Sequence, residues 1–284
     1  MSAEQVRWRL DLAYDGAAFS GWAAQPGLRT VEGELSDWIG RVLRLDAPPT
    51  LTCAGRTDSG VHARGQVVHV DLAPLSEVGR GGPEDVGALL TRRLSRALPE
   101  DLVVRRVTRA PVGFDARFAA IWRRYVYRLW DSPTDRDPLR RGHVVAHPEQ
   151  LDVPLIAAAG QDLLGLHDFS AFCKRRDGAT TIRTLQLLDT VRLDDGTIEI
   201  TVRADAFCHS MVRSLVGGLT AVGSGRRDRD WLRGLLTLGT RAGDIAVMPP
   251  QGLTLEEVGY PTDAELATRA REARATRTLP EVDA

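Results

Sequence analysis

The first regular pattern along the chain is an alternation of apolar and mainly polar residues from Val6 to Tyr14, which is typical of a half-buried strand. A helix is predicted from about Thr30, because apolar residues then recur at helical spacing. Its apolar face consists of Val31, Leu35, Trp38, Ile39 and Val42. A short strand ending near Ala54 and a strand over residues 66–72 are predicted next.

A second helix is predicted from Pro83 to Leu98, because proline favours the first helical turn and apolar residues recur every three or four positions. A strand over residues 102–107 closes this half of the chain. The order is therefore β-α-β-β-α-β, which is the ferredoxin-like arrangement.

The second half repeats this order without repeating the sequence. The predicted elements are a strand at 121–130, a helix at 151–164, strands at 183–193 and 197–204, helices at 207–222 and 231–238, and a strand at 253–258. An Asp-Asp-Gly turn at 194–196 joins the two middle strands as a hairpin. We therefore predict an α+β protein of two ferredoxin-like halves, with mainly antiparallel sheets that meet at a central basic cleft. The predicted division is 1–109, 110–261 and a charged tail at 262–284.

Composition indicates an ordinary globular protein, with 43% hydrophobic and 26% charged residues in a chain of 284. No apolar run approaches the length of a membrane helix, and the first residues lack the apolar core of a signal peptide, so we expect a cytoplasmic protein. Cys53, Cys173 and Cys208 are far apart, which predicts free, packed thiols. No metal site is predicted, because no pair of cysteines has the spacing of zinc ligands.

Charge is unevenly distributed, although the formal net charge is only −1. All basic residues except Lys174 are arginines. The arginine-rich stretch, residues 105–128, holds seven arginines and one acid, Asp115, interleaved with aromatic residues. Arginine binds phosphate through two hydrogen bonds and aromatic rings stack on unpaired bases, so the stretch is compatible with a nucleic-acid surface. A solvated strand and loop is the alternative, and composition alone does not separate the two.

Several chemistries lack their motifs. The single lysine is not in a phosphate-binding loop, no G-x-G-x-x-G opens a helix, and no G-x-S-x-G is present. Nucleoside triphosphate use, dinucleotide binding and serine hydrolase chemistry are therefore unsupported.

Asp58-Ser59-Gly60 is compatible with a turn and also with the core of an aspartic protease signature. An aspartic protease needs two carboxylates that share one proton, and the chain has one such motif. Arg56 stands two residues before Asp58, and a cation beside a carboxylate favours its ionised form. We therefore expect an ionised Asp58 that acts as a nucleophile or base toward a nucleotide.

Residues 54–72, AGRTDSGVHARGQVVHVDL, resemble the signature of the tRNA pseudouridine synthase A family. Other blocks resemble the same family in the same order. They are YDGAAFSGWAAQPGLRTVEGEL (14–35), RFAAIWRRYVYRLW (117–130), LLGLHDFSAF (163–172), AFCHSMVRSLVGGLTAVGSG (206–225) and PPQGLTLEEVGYP (249–261). The resemblance implies the pseudouridine synthase fold. It also implies conversion of uridine to pseudouridine at positions 38, 39 and 40 in the anticodon stem and loop of tRNA, by an isomerase that needs no cofactor.

The same resemblance implies the site residues. Asp58 corresponds to the catalytic aspartate, Tyr125 to the active-site tyrosine, and Arg56 and Arg213 to arginines near that aspartate. It further implies a homodimer that binds the tRNA anticodon arm, with no membrane and no nucleoside triphosphate. A non-catalytic RNA-binding module and a protease-like enzyme remain the alternatives, and the role of His62 is left open.

Overall fold

The computed structural model describes residues 5–75, 83–174 and 180–274. In chain order its strands and helices are β1 (Val6–Tyr14), α1 (Val31–Leu43), β2 (Leu51–Cys53), β3 (His62–Leu72), α2 (Pro83–Ala97), β4 (Leu102–Arg109), β5 (Trp122–Trp130), β6 (Val145–Ala146), α3 (Val153–Gln161), β7 (Gly165–Asp168), β8 (Ile182–Arg192), β9 (Ile198–Ala204), α4 (Met211–Gly223), α5 (Arg229–Gly234), β10 (Leu253–Gly259) and α6 (Leu266–Glu272).

The described residues form two compact units. The first unit lies within residues 1–121 and 255–274, and the second unit includes residues 122–254. The functional division that the sequence predicts at residue 109 stays a prediction.

The sheet of the first unit has the order β4-β1-β3-β10, and β2 pairs with β3. β1 is antiparallel to both β3 and β4, and β2 is antiparallel to β3. Alternate side chains of β1 from Trp8 to Tyr14 are buried, as the period of two predicts. Apolar residues of α1 and α2, including Ile39 and Leu90, line the same small apolar cavity as Trp8 and Leu10. Full burial of each large apolar side chain contributes about 1.5–3 kcal/mol.

The sheet of the second unit has the order β5-β9-β8-β7, with each neighbouring pair antiparallel. β6 adds two residues parallel to β5. α4 is buried along most of its length, including Leu215, Val216 and Leu219 on successive faces. A helix that is apolar all round belongs to a core, so α4 is the central helix of this unit.

The mixed α+β class with mainly antiparallel strands is confirmed. The structure differs from the predicted elements in several places. β3 begins at His62, four residues before the predicted start, and α4 begins at Met211 instead of Phe207. Ser210 has a φ of +64°, which is incompatible with a continuous helix from Phe207. β6 and β7 were not predicted, because strands of two and four residues are too short to show a period.

The prediction of three free thiols is wrong for two of them. Cys173 and Cys208 form a disulfide with a Cα–Cα distance of 5.7 Å, across 35 residues of sequence. The fold brings the residues after β7 next to those before α4, and sequence spacing cannot show such a contact. Cys53 is free and buried, and burial raises the pKa of its thiol to about 12.

No helix in the described ranges combines the length and the apolar character needed to cross a membrane. The segment predicted to be a charged tail contains the short helix α6, and residues 275–284 lie outside the described residues.

Candidate active site

The loop of residues 54–61 joins β2 to β3 and carries Asp58 at a tight turn. The Val61 N–H donates to the Asp58 carbonyl oxygen at 3.1 Å, and Gly60 has a φ of +77°. Glycine adopts this left-handed conformation without steric cost. The turn with which Asp58-Ser59-Gly60 is compatible is therefore present, and Ser59 and Gly60 are its central residues. Asp58 is half-buried and lies at the start of this turn.

Residues 14–22, which we call the supporting segment, lie directly against this loop. The Trp22 N–H donates to the Thr57 carbonyl oxygen at 3.0 Å. A Cβ atom at Gly16 would lie 2.0 Å from the Val61 carbonyl oxygen, which is closer than such atoms approach. The supporting segment therefore needs glycine at this position in order to pack on the loop.

A buried hydrogen-bond network joins the loop to the strands on either side. The hydroxyl groups of Tyr14 and Thr57 are 2.8 Å apart and share a hydrogen bond. Gln66 Nε2 donates to the Tyr14 hydroxyl at 3.3 Å and to the Gly55 carbonyl oxygen at 2.7 Å. Thr57 precedes Asp58, so the network fixes the residue from which the carboxylate projects.

His62 fixes the other end of the loop. Its side chain is buried, and its Nδ1 accepts a hydrogen bond from the Gly16 N–H at 3.0 Å. The Asp15 Oδ1 lies 3.0 Å from the same nitrogen. The imidazole therefore ties the start of β3 to the supporting segment, which gives His62 a structural role that the sequence left open.

Arg56 lies in the same loop and its side chain is exposed. Within the described ranges, Arg56 forms no hydrogen bond or ion pair with a protein group, and therefore none with Asp58. The expected action of Arg56 on Asp58 stays a prediction.

Tyr125 belongs to the second unit, where it lies on β5 opposite Val202 of β9. Its side chain is 6% exposed. The Phe207 ring packs edge-on against the Tyr125 ring, with the centroids 5.1 Å apart. Phe207 lies shortly before α4, so the ring contact links β5 to the start of that helix.

Arg213 lies in the first turn of α4, also in the second unit. Its Nε donates to the Met248 carbonyl oxygen at 2.6 Å, and the Met248 N–H donates to the Arg213 carbonyl oxygen at 3.2 Å. Next to Met248, the Pro249 carbonyl oxygen accepts a hydrogen bond from the Tyr127 hydroxyl at 2.8 Å. Burial raises the pKa of Tyr127, so this hydroxyl stays a neutral donor. The segment of Met248 and Pro249 therefore contacts both Arg213 of α4 and Tyr127 of β5, the strand that also carries Tyr125.

Part of the arginine-rich stretch serves the fold. Arg106 and Arg128 form ion pairs with Asp11 and Glu199. Arg123 is buried and donates to a backbone carbonyl oxygen at 2.7 Å. These three residues have partners within the protein, although Arg106 is also exposed, and composition alone could not show these contacts.

Sequence reasoning did not identify Tyr14 and Gln66 as partners of the loop. Tyr14 and Thr57 are 43 residues apart, and neither periodicity nor spacing shows such a pairing. The closest sequence signal is the pair of glycines at 16 and 21 that follow Tyr14. Gly21 has a φ of +91°, and a Cβ there would lie 3.1 Å from the Thr57 carbonyl oxygen. Close backbone approach of this kind is a usual reason for glycine.

Two comparisons with known proteins, one with family models and one with individual relatives, indicate the same family. The family model described as tRNA pseudouridine synthase matches residues 159–261. A protein from Cutibacterium acnes named tRNA pseudouridine synthase A is 60% identical over 275 residues, which cover 96% of this chain and 95% of the relative. Proteins of the same name from Streptomyces avermitilis and Mycobacterium leprae are 55% and 50% identical. These alignments cover 97% and 94% of this chain, and 95% and 94% of the two relatives.

Proposed function

The chain belongs to the tRNA pseudouridine synthase A family, and on that premise we propose that it isomerises uridine to pseudouridine in the anticodon arm of tRNA, with Asp58 as nucleophile. The observation that supports a nucleophilic role for Asp58 is the way in which the surrounding backbone holds this residue. Asp58 is half-buried instead of enclosed in the core, while the backbone around it is held by a tight turn, by the supporting segment and by buried hydroxyl groups. A nucleophile needs this combination of access and fixed direction.

The reaction balances within one nucleotide. Asp58 attacks either the ribose or the base, the bond between N1 of uracil and the sugar breaks, and the detached base rotates. A bond then forms between C5 of uracil and the sugar, and the bond that Asp58 formed with the nucleotide breaks, which restores the carboxylate. N1 takes up a proton, and the hydrogen on C5 leaves as a proton. No electron is gained or lost, so the isomerisation requires no redox cofactor.

The remaining site residues act on the RNA in this proposal. The base must leave the stack before Asp58 can attack, at a cost of a few kcal/mol. Stacking of a base on an aromatic ring contributes about 1–3 kcal/mol, and Tyr125 supplies that ring. Arg56 and Arg213 contribute charge-assisted hydrogen bonds to phosphate or to the reacting groups.

The cellular setting and the assembly are part of the same proposal. The resemblance implies a homodimer, and a tRNA substrate implies that the protein works in the cytoplasm. Disulfides are uncommon there, so the pair formed by Cys173 and Cys208 would be unusual for that compartment.

Substitution of Asp58 by Asn tests the proposed function. Asparagine has nearly the same shape but is a far weaker nucleophile, so we expect release of tritium from C5-labelled uridine in tRNA to fall by roughly three orders of magnitude or more. Binding of tRNA should stay the same or become tighter, because a negative charge that repels phosphate is removed. Asp194→Asn is the matched control, because Asp194 is an exposed aspartate in a hairpin turn.

Three results would contradict the proposal. Full activity of Asp58→Asn would show that Asp58 is not the nucleophile. Binding of tRNA by the wild-type protein without any tritium release would show a non-catalytic RNA-binding module. Equal loss of activity in Asp194→Asn would show that the assay responds to charge in general.

A further inference from the structure

The Tyr14 hydroxyl forms a buried hydrogen bond with Thr57, the residue that precedes Asp58. Its phenol group is held between the Thr57 hydroxyl at 2.8 Å and Gln66 Nε2 at 3.3 Å. We infer that Tyr14, supported by Gln66, is a positioning residue that sets the direction in which the Asp58 carboxylate meets the target nucleotide. This inference rests on the proposed function, in which Asp58 is the nucleophile.

The amide of Gln66 is fixed in one orientation by its own contacts. Nε2 donates to Tyr14 and, at 2.7 Å, to the Gly55 carbonyl oxygen. The Gln66 Oε1 accepts the Val67 N–H at 3.2 Å. Both sides of the amide are therefore used, and Gln66 presents a donor to the Tyr14 oxygen. Burial raises the pKa of Tyr14, so its phenol stays neutral and keeps a proton for its hydrogen bonds.

Thr57 is held at its side chain and at its backbone. The side chain bonds Tyr14, and the Thr57 carbonyl oxygen accepts the Trp22 N–H at 3.0 Å. On the other side of Asp58, the turn to Val61 fixes the Asp58 carbonyl. With both neighbouring peptide groups fixed, the carboxylate can move only by rotation of its own side chain. Loss of the Tyr14 contact would release the Thr57 side chain and leave the Trp22 hydrogen bond as the remaining contact of Thr57 described here.

The Tyr14 ring is anchored separately from its hydroxyl. Its centroid lies 6.4 Å from the ring of Phe19 and 6.3 Å from that of Trp22. Phenylalanine at position 14 would keep these ring contacts and lose only the hydrogen bonds. Tyr14→Phe therefore separates the positioning role from packing of the first unit.

The test measures kcat and KM for tritium release from tRNA together with the midpoint of thermal unfolding. We expect Tyr14→Phe and Thr57→Val each to lower kcat about tenfold to 100-fold, because small displacements of a reacting group cost rates of this size. KM should stay nearly constant, because neither hydroxyl is placed to contact RNA. The double variant should be no slower than the slower single variant, because both substitutions remove the same contact. Thr57→Ser, which keeps the hydroxyl, should recover most of the rate.

Tyr260→Phe is the matched control. The Tyr260 hydroxyl also lies in the first unit and donates to a backbone carbonyl oxygen, that of Ala116, at 2.7 Å. We expect this variant to shift the unfolding midpoint without changing kcat. A purely structural role of Tyr14 predicts the same behaviour for both tyrosine variants.

The inference is overturned if Tyr14→Phe keeps the wild-type kcat, or if the effects of Tyr14→Phe and Thr57→Val multiply in the double variant. If Thr57→Val does not fold, Tyr14→Phe and Thr57→Ser decide the question. The Asp58→Asn variant distinguishes the positioning role of Tyr14 from the proposed nucleophilic role of Asp58. An inactive Asp58→Asn with a fully active Tyr14→Phe removes only the positioning role, whereas an active Asp58→Asn removes the proposed nucleophile itself.

Discussion

Asp131 in the second unit shows how a buried charge is held in this fold. Its side chain is 2% exposed, and the Arg192 guanidinium donates to both carboxylate oxygens at 2.7 Å. The Leu151 N–H donates to the same carboxylate at 2.8 Å. The hydrogen bonds from Arg192 hold the pKa of Asp131 below its ordinary value, against the opposing effect of burial.

Removal of Arg192 should therefore destabilise the protein strongly. Arg192→Met leaves an unpaired buried carboxylate, which costs about 3–5 kcal/mol of unfolding free energy. Arg233→Met is the control, because Arg233 and Asp230 form an exposed pair and its loss should have little effect. Urea unfolding of the two variants at neutral pH measures the difference.

The pKa shift of Asp131 also predicts how the stability difference between the wild type and Arg192→Met depends on pH. In the wild-type protein the folded-state pKa of Asp131 is lowered, so the pair stabilises fully above the unfolded pKa of about 4 and is lost as pH falls through the folded value. In Arg192→Met the stabilisation of the ionised carboxylate by arginine is missing, whereas burial still opposes ionisation. The stability gap between wild type and Arg192→Met should thus be largest at neutral pH and shrink in acid. A gap that stays constant from pH 7 to pH 3 would contradict the argument.

At the scale of elements, α4 packs against the chain segment that precedes β10. Gly217 lies in the middle of this helix, and a Cβ atom there would lie 1.8 Å from the Ala246 carbonyl oxygen. The same segment continues to Met248, which bonds Arg213. Glycine is required here for backbone contact, although it is a poor helix former.

Gly217→Ala should destabilise the protein by about 1–3 kcal/mol, because the backbone must move to accept the methyl group. Gly234→Ala at the end of α5 is the matched control, since no atom lies within 4 Å of the added Cβ. There the substitution should be neutral or slightly stabilising, because alanine favours helix. Denaturant unfolding measures both, and equal effects would rule out the steric explanation.

The elements that could be predicted from the sequence are those long enough to show a period. β1 has nine residues with strict alternation, and its bounds and buried face follow from that pattern. The start of α4 could not be predicted, because the left-handed Ser210 interrupts an otherwise helical apolar pattern. The disulfide between Cys173 and Cys208 and the contact between Tyr14 and Thr57 depend on tertiary structure, and no local pattern encodes them.

The candidate site was predictable to a different degree at each position. Asp58 and its turn follow from Asp-Ser-Gly chemistry and from resemblance to the family, and the structure confirms the turn. Tyr125 and Arg213 rest on resemblance alone, because a strand tyrosine and a helix arginine are ordinary structural residues. The roles of Tyr125 and Arg213 stay predictions. The hydrogen bond by which Tyr14 supports the loop could be identified only from the structure.

At the scale of the whole molecule, binding to RNA cannot depend on net charge, because the net charge is −1. Attraction must come from local groups of arginines, since salt screens exposed charges over about 8 Å at physiological ionic strength. Arginines that are already paired, such as Arg106 and Arg128, contribute less to such attraction. Exposed Arg56, which binds no protein group within the described ranges, is the better candidate for a phosphate contact.

The logarithm of the binding constant for tRNA should therefore fall linearly with the logarithm of salt concentration, because each phosphate contact releases bound counterions. Arg56→Gln should make the slope shallower by about 0.7–0.9, the value of one phosphate contact. Arg233→Gln, which removes an arginine from an exposed ion pair on α5, should keep the wild-type slope. Filter binding over a salt series measures all three proteins. Salt-independent binding of the wild type would contradict phosphate recognition by arginine, and an unchanged slope in Arg56→Gln would show that Arg56 binds a neutral part of the substrate.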